Sequence, residues 1–331
     1  MSAQLILLTG SSGHIGYRTL VEALSKGYRV RAAVRSESKA AEIKAAKSTE
    51  PYLNQLSFSI VPDIEKDGAF DQAVKDVDYV VHVASPLARP SEDDEVNIIR
   101  PAIRGTLSIL RSALKEPSIQ RVVITSSVAA VSPPDARVYT ADNVEPDPHG
   151  PYPHTFAAYA ASKKLAYNRT RDFISEEKPH FTVVNIMPTF VIGKNELATT
   201  PAAVNSGSNA LALISLLGTQ NPNGMPGATC HVDDVAYVHV ASLDSKIQGN
   251  QNFGVNYDVN GVKWDDAIDI VKKHFPQAVE QGVFPLGGSQ PSLPMPFDAS
   301  KTEEVFGIKF KNFEEQIVSL ASHYIEVTAA A

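Results

Sequence analysis

The chain has 331 residues, 43% of them hydrophobic and 20% charged, with a formal net charge of -7. That supports one sizeable core with a smaller lobe attached, and the acidic balance, without any long run of like charges, excludes the electrostatic footprint of a nucleic-acid binder. Cys230 is the only cysteine, which excludes an intrachain disulfide and fits a reducing, cytoplasmic setting; no apolar stretch approaches the ~20 residues of a membrane helix.

The apolar run at 5–8 ends abruptly at Thr9-Gly10, so it is read as a buried strand rather than a signal core. It opens a series in which short β-branched runs alternate with longer segments of helical period, the pattern of a parallel sheet covered by helices on both faces. Strands are predicted over 5–9, 28–34, 56–61, 79–83, 121–125 and 182–187, six in all and enough for a complete sheet. Helices are predicted over 14–25, 94–115 and 157–176, the second with Val96, Ile99, Ile103, Leu107 and Leu110 in steps of three and four.

Between the first strand and the first helix stands Thr9-Gly10-Ser11-Ser12-Gly13-His14-Ile15-Gly16. A glycine-rich turn in that place brings backbone N–H groups and the positive end of a helix to a pyrophosphate, and Gly16 lets the helix pack closely on the strand. Gly10, Ser12, Gly13, His14, Ile15 and Gly16 are therefore read as a dinucleotide loop. Its spacing is G-x-x-G-x-x-G, with two residues between the first pair of glycines where the commonest dehydrogenase fingerprint has one. Arg35 ends the second strand 19 positions past Gly16, near where an NAD site carries an acid for the ribose 2′-hydroxyl. A guanidinium there holds a 2′-phosphate through paired hydrogen bonds, and Lys39 adds a second positive charge, so NADP(H) is favoured over NAD. Glu37 and Glu42 stand near enough to neutralise that patch.

The strand at 121–125 delivers Ser126 and Ser127 to the carboxyl edge of the sheet, where ligands bind in folds of this kind. A loop carrying Pro133, Pro134, Pro146, Pro148, Pro151 and Pro153 leads from there into the third helix. On that helix Tyr159 and Lys163, four residues apart, project from one face. Of the 11 tyrosines only Tyr159 has a lysine four positions later. A solvated pair on a helix surface is the bland alternative; the glycine loop and the serine strand weigh against it. Beyond Pro188 glycine, proline, serine and asparagine become frequent and apolar runs shorten, as expected of a substrate lobe.

The T-G-x-x-G-x-x-G opening, the T-S-S strand end and Y-x-x-x-K together resemble an extended short-chain dehydrogenase/reductase. More narrowly, Val30-Arg31-Ala32-Ala33-Val34-Arg35, His82-Val83-Ala84-Ser85-Pro86, Tyr159-Ala160-Ala161-Ser162-Lys163 and Pro188-Thr189 resemble the dihydroflavonol reductase-like branch, which includes fungal and yeast carbonyl and aldehyde reductases. The resemblance runs over nearly the whole chain, strong as far as Pro188 and faint afterwards. It implies an α/β fold, a Rossmann-type doubly wound parallel sheet with a smaller C-terminal substrate lobe. Residues 1–188 would form the NADP-binding domain, with a returning segment around 228–258, and 189–331 mainly the lobe. It implies Ser127 as the catalytic serine, with Ser126 the fallback, beside Tyr159 and Lys163. It also implies Asp63 and Ile64 at the adenine, and Ala84, Ser85 and Pro188 on the nicotinamide side.

The expected chemistry is reduction of a small hydrophobic aldehyde or ketone by NADPH. Hydride reaching the carbonyl carbon builds negative charge on oxygen, which Tyr159 would quench with its proton; Lys163 and oxidised nicotinamide would lower the phenol's pKa of about 10, and Ser127 would donate to the oxyanion. Candidate substrate-pocket residues are Ser85, Pro86, Leu87, Val128, Thr189 and Phe190. Three other readings share the fold. A nucleotide-sugar epimerase or dehydratase needs arginine forks for a diphosphate, yet no arginine follows Arg171. A hydroxysteroid-type dehydrogenase would use the same residues in the oxidative direction, and a non-catalytic cofactor sensor would have no need of Tyr159.

Several features are read as structural. Asp233 or Asp234 is expected to cap a helix beginning at Val235 rather than to join His231 at a metal, and no metal is assigned. His82 is expected in the core, Cys230 as an inert thiol, and the Asn168-Arg169-Thr170 sequon is discounted because it lies on the catalytic helix. The partner expected is a small carbonyl compound, with neither nucleic acid nor membrane, and the chain a monomer or homodimer.

Overall fold

The computed structural model describes residues 3–85, 92–135 and 137–330, so Pro86 and Leu87 of the expected substrate pocket lie outside the described residues. The chain divides into two compact units, the first made of residues up to 133, 141–187 and 236–253, the second of 134–140, 188–235 and 254 onward.

The first unit is built on a seven-stranded sheet of β1 (Leu5–Thr9), β2 (Arg29–Val34), β3 (Leu56–Ile60), β4 (Tyr79–His82), β5 (Arg121–Thr125), β6 (Thr182–Pro188) and β7 (Gln251–Val255). Its order is β7-β6-β5-β4-β1-β2-β3, and every pairing from β3 through to β6 is parallel. The strand order reverses between β1 and β4, which opens a crevice at their carboxyl ends, the ligand position of a Rossmann-type sheet. All five residues of β1 are buried, as a strand covered on both faces requires. The unit's core joins Leu7, Val80 and Val122 of the sheet to Phe70 and to Ile109 and Leu110 of the overlying helix.

The helices that matter for the site are α1 (His14–Ser25), α2 (Glu37–Ala45), α3 (Arg100–Leu114) and α4 (Thr155–Glu177). The predicted helix over 94–115 is not uniform: Glu95–Ile99 winds as a π-turn before α3 proper. Pro101 lacks the N–H that would extend an α-helical ladder back into this segment, and a wider turn accommodates the gap.

The expected six strands are seven. β7 lies inside the segment expected around 228–258, where Asn252 and Gly254 dilute the apolar signal of a strand, although Phe253 and Val255 are buried. Its approach segment is tied to β5 by the buried Arg121, whose guanidinium donates to the carbonyls of Ser242 at 2.6 Å, Asp244 at 2.8 Å and Ile247.

The second unit has its own core around Trp264, Leu213, Phe284, Ile317 and Leu320. Its strands are short: Phe190–Ile192 pairs in parallel with Thr229–His231. The C-terminal helix Phe313–Ala329 starts with a capping box, Asn312 accepting from the Glu315 N–H at 2.9 Å and Glu315 accepting from the Asn312 N–H at 2.8 Å.

Candidate active site

The glycine loop follows β1 directly. Gly10 has φ +73°, and a Cβ there would stand 2.7 Å from the Ala84 nitrogen; a Cβ on Gly16 would stand 2.0 Å from the Gly10 carbonyl oxygen. Both glycines are therefore dictated by packing, one against the β4 terminus and one within the turn. Gly13 differs, because its Cβ would meet only the Gly10 oxygen at 3.4 Å, so the protein's own packing leaves that side open to a ligand. Gly13 also starts α1 without a side-chain cap, and the helix has no acid in its first turn, leaving its positive end for an anion. These features fit a dinucleotide's pyrophosphate along Gly10, Ser12, Gly13, His14, Ile15 and Gly16.

At the end of β2, Arg35 is exposed and has no ion pair or hydrogen bond among the described residues. Lys39, in contrast, is paired with Glu42 at 2.5 Å on the same helix face, so the local positive charge rests on Arg35. Beyond β3, Asp63 is exposed and turns the chain by accepting the Glu65 N–H at 2.9 Å, while Ile64 packs partly buried against the core beside Gly105.

The catalytic candidates converge from β5 and α4. Ser127 leaves β5 in extended geometry, and its buried hydroxyl accepts the Ala129 N–H at 3.2 Å, capping a short turn at Val128–Ala130. The same side chain stands close enough to the Tyr159 phenol to favour its ionised form. Ser126 takes another direction and lines a small cavity with Lys163 and His82. Of the two serines, then, the structure brings Ser127 to Tyr159.

One helical turn on, the Lys163 Nζ lies 5.7 Å from the centroid of the Tyr159 ring and donates to Ser85 Oγ at 3.0 Å. Lys163 is 6% exposed, and burial pulls its pKa from 10.5 down to about 8. Burial raises the Tyr159 pKa, with the Ser127 side chain opposing. The lowering expected from Lys163 is not found in the protein alone: the ammonium is directed to Ser85, and desolvation of the phenolate dominates.

The remaining candidates separate. Val128 is buried beside Ser127. Pro188 ends β6, and Thr189 is buried with its hydroxyl bonded to the Val255 carbonyl and to Asn256, both at 3.2 Å. Phe190 packs edge-on to Trp264 at 6.1 Å, on the core of the second unit. The aspartates near His231 do not cap a helix at Val235. The helix is Val232–Ala241, the His231 Nδ1 accepts the Asp233 N–H at 3.0 Å, and both carboxylates hold Lys311, Asp233 at its Nζ (2.7 Å) and Asp234 at its backbone N–H (2.8 Å).

Residues 6–256 match the NAD dependent epimerase/dehydratase family. The chain belongs to that family. It is an oxidoreductase of the extended short-chain dehydrogenase/reductase type. It is 38% identical to the ketoreductase CTB6 of Cercospora nicotianae, across 99% of this chain and 96% of that protein. It is also 28% identical to a putative NADPH-dependent methylglyoxal reductase, GRP2, of Candida albicans, across 96% and 97% of the two. Among solved structures, the yeast methylglyoxal/isovaleraldehyde reductase Gre2 complexed with NADPH superposes with a TM-score of 0.82 at 26% identity, covering 99% of this chain and 100% of that one.

Two contacts of this extended reductase were not foreseen. Ser85, expected only against cofactor and substrate, is the direct partner of Lys163. The proline-rich loop is clamped onto α4 by Asn168, which donates to the Glu145 carbonyl at 3.0 Å and Asp147 at 2.8 Å, with Arg169 on the same carboxylate. The sequon asparagine therefore spends its amide on anchoring the loop that delivers Tyr159.

Proposed function

We propose that the chain reduces a small hydrophobic aldehyde or ketone to its alcohol with NADPH. The observation that carries this reading is the Tyr159 phenol, beside the Ser127 side chain and with the Lys163 ammonium 5.7 Å from its ring centroid on the next turn. Bound reduced nicotinamide supplies the hydride that the carbonyl carbon accepts. The chain's residues handle the other half of the reaction. As the C=O pair moves onto oxygen, the Ser127 hydroxyl donates to that oxygen and orients it. Tyr159 then gives up its phenolic proton to complete the alcohol. The phenolate left behind is costly in this half-buried, desolvated setting, and the Lys163 ammonium, 5.7 Å from the ring centroid, is the positive charge placed to offset that cost. The free guanidinium of Arg35 supports NADPH over NADH, because a 2′-phosphate fits it and a bare ribose does not use it. The reading includes a cytoplasmic enzyme acting as a monomer or homodimer.

The test is NADPH oxidation followed at its absorbance band across a panel of aldehydes, ketones and nucleotide sugars. Turnover with hydrophobic carbonyl compounds is expected. Turnover confined to nucleotide sugars would overturn the reading.

A further inference from the structure

Beside Lys163 the first unit holds a small, partly open cavity with room for one water, about 10 Å³, walled by His82, Thr125, Ser126, Lys163, Tyr167 and Asn185 among others. His82 is 2% exposed. Its Nδ1 lies 2.9 Å from Thr9 Oγ1, and that oxygen already accepts the Ala84 N–H at 3.1 Å. The Thr9 oxygen has a second lone pair, so this contact admits either tautomer; with the Thr9 hydroxyl donating to Nδ1, the ring proton sits on Nε2. Nε2 is buried and has no hydrogen-bond partner among the described residues. An unmet donor in a protein interior costs about 1–3 kcal/mol, so its persistence beside a polar cavity calls for an acceptor there.

We infer that His82 is a positioning residue for Lys163: its Nε2–H holds a water in this cavity, and that water accepts from the Lys163 ammonium and keeps it aligned with Tyr159. The inference rests on the proposed carbonyl reduction for its catalytic meaning. The donor count supports it. One Lys163 N–H goes to Ser85, which leaves two for other acceptors, and a water has two lone pairs, one for Nζ and one for His82. Its own protons find oxygens on the cavity wall, including Asn185 Oδ1, whose amide nitrogen is committed to Asn252 at 3.0 Å. Charge supports it as well. Burial and the neighbouring Lys163 drive the His82 pKa down to about 3, so the ring offers an N–H without placing a second cation beside the ammonium. Lysine or arginine at this position would supply a donor and repel Lys163.

Three variants separate positioning from simple packing. His82→Asn keeps an acceptor for Thr9 and loses the arm that reaches the cavity, His82→Leu loses both, and His82→Gln carries an amide N–H toward the cavity. Against the best carbonyl substrate, the Asn and Leu variants should lose about tenfold or more in kcat with the carbonyl KM within about threefold, and Gln should recover most of that loss. A crystal structure of the wild-type chain should show one ordered water within about 3 Å of both His82 Nε2 and Lys163 Nζ, a readout that needs no activity and no variant. A dry cavity overturns the inference, as does a Gln variant no better than Leu or an Asn variant with unchanged kcat. If the wild-type chain turns over no carbonyl compound, the proposed function fails by itself, and the water still decides the role of His82.

Discussion

The two units arrange their polar groups differently. In the first, Ser127, Tyr159, Lys163, Ser85 and His82 converge on one place from β5, α4 and the β4 terminus, where His82 Nε2 has no hydrogen bond among the described residues and Lys163 has one, to Ser85. In the second, several buried polar groups hold the backbone, although Asn195, Thr229, Thr302, Gln316 and His323 each carry a buried atom without a hydrogen bond among the described residues. Asn209 bonds both the carbonyl and the N–H of Gly193, Asn256 reaches the carbonyls of Asp258 and Phe297, and the Trp264 indole serves the carbonyls of Met225 and Pro226. What sets the first unit apart is the convergence of titratable groups on one place, because spare hydrogen-bond capacity occurs in both units.

The largest break in that contrast is expected at Tyr159. Tyr159→Phe removes one oxygen and leaves the ring packed near Phe156, so fold and cofactor binding should persist. The rate should fall by about 10²–10⁴, the range for a positioned proton donor. Stopped-flow turnover and NADPH fluorescence titration read the two quantities separately; a variant within tenfold of wild type would remove Tyr159 from proton delivery. A smaller effect is expected at Arg35. Arg35→Ser should weaken NADPH by roughly tenfold to a hundredfold, the worth of hydrogen bonds to a charged group, and leave NADH binding nearly untouched. Equal losses for both cofactors would show that Arg35 supports the loop rather than the 2′-phosphate.

The same contrast explains what was legible in the sequence. The glycine loop, the serine pair and the Tyr159-Lys163 spacing are local patterns, each set by one strand end or one helical turn, and the structure brings them together in the first unit. Ser85 against Lys163 and the Asn168 clamp were not legible, because each joins residues more than a turn of chain apart, and hydroxyls and amides pair with almost anything. Asp233 and Asp234 misled for a related reason. An aspartate ahead of a helix reads as a cap, but here His231 takes the N–H that a cap would bind, and the carboxylates are drawn to Lys311 from the far end of the unit. The strand at Gln251–Val255 is short and diluted by asparagine and glycine, so only its neighbours in the sheet define it.

In the second unit the expected effects concern stability. Burial raises the Asp234 pKa from 3.8 to about 6, despite the Lys311 N–H bonded to it. A carboxyl whose folded pKa lies above its unfolded one stabilises the fold fully below pH 3.8, and that contribution is lost as pH rises through 6; the gap corresponds to roughly 3 kcal/mol at most. Asp234→Asn keeps an acceptor for the Lys311 N–H without a titrating charge. Its Tm should therefore exceed that of the wild type at pH 7 and converge with it near pH 4. An Asn variant that melts lower at pH 7 would mean that attraction to Lys311 outweighs desolvation.

Cys230 should give the smallest effect of all, and its silence is informative. The thiol is fully buried, and desolvation pushes its pKa up to about 12 even with the Thr189 side chain nearby, so the reactive thiolate is scarce at neutral pH. A thiol reagent should leave native protein unlabelled and activity intact, with labelling appearing only across the denaturant transition. Stoichiometric labelling of the native chain within minutes would show that this strand opens on its own.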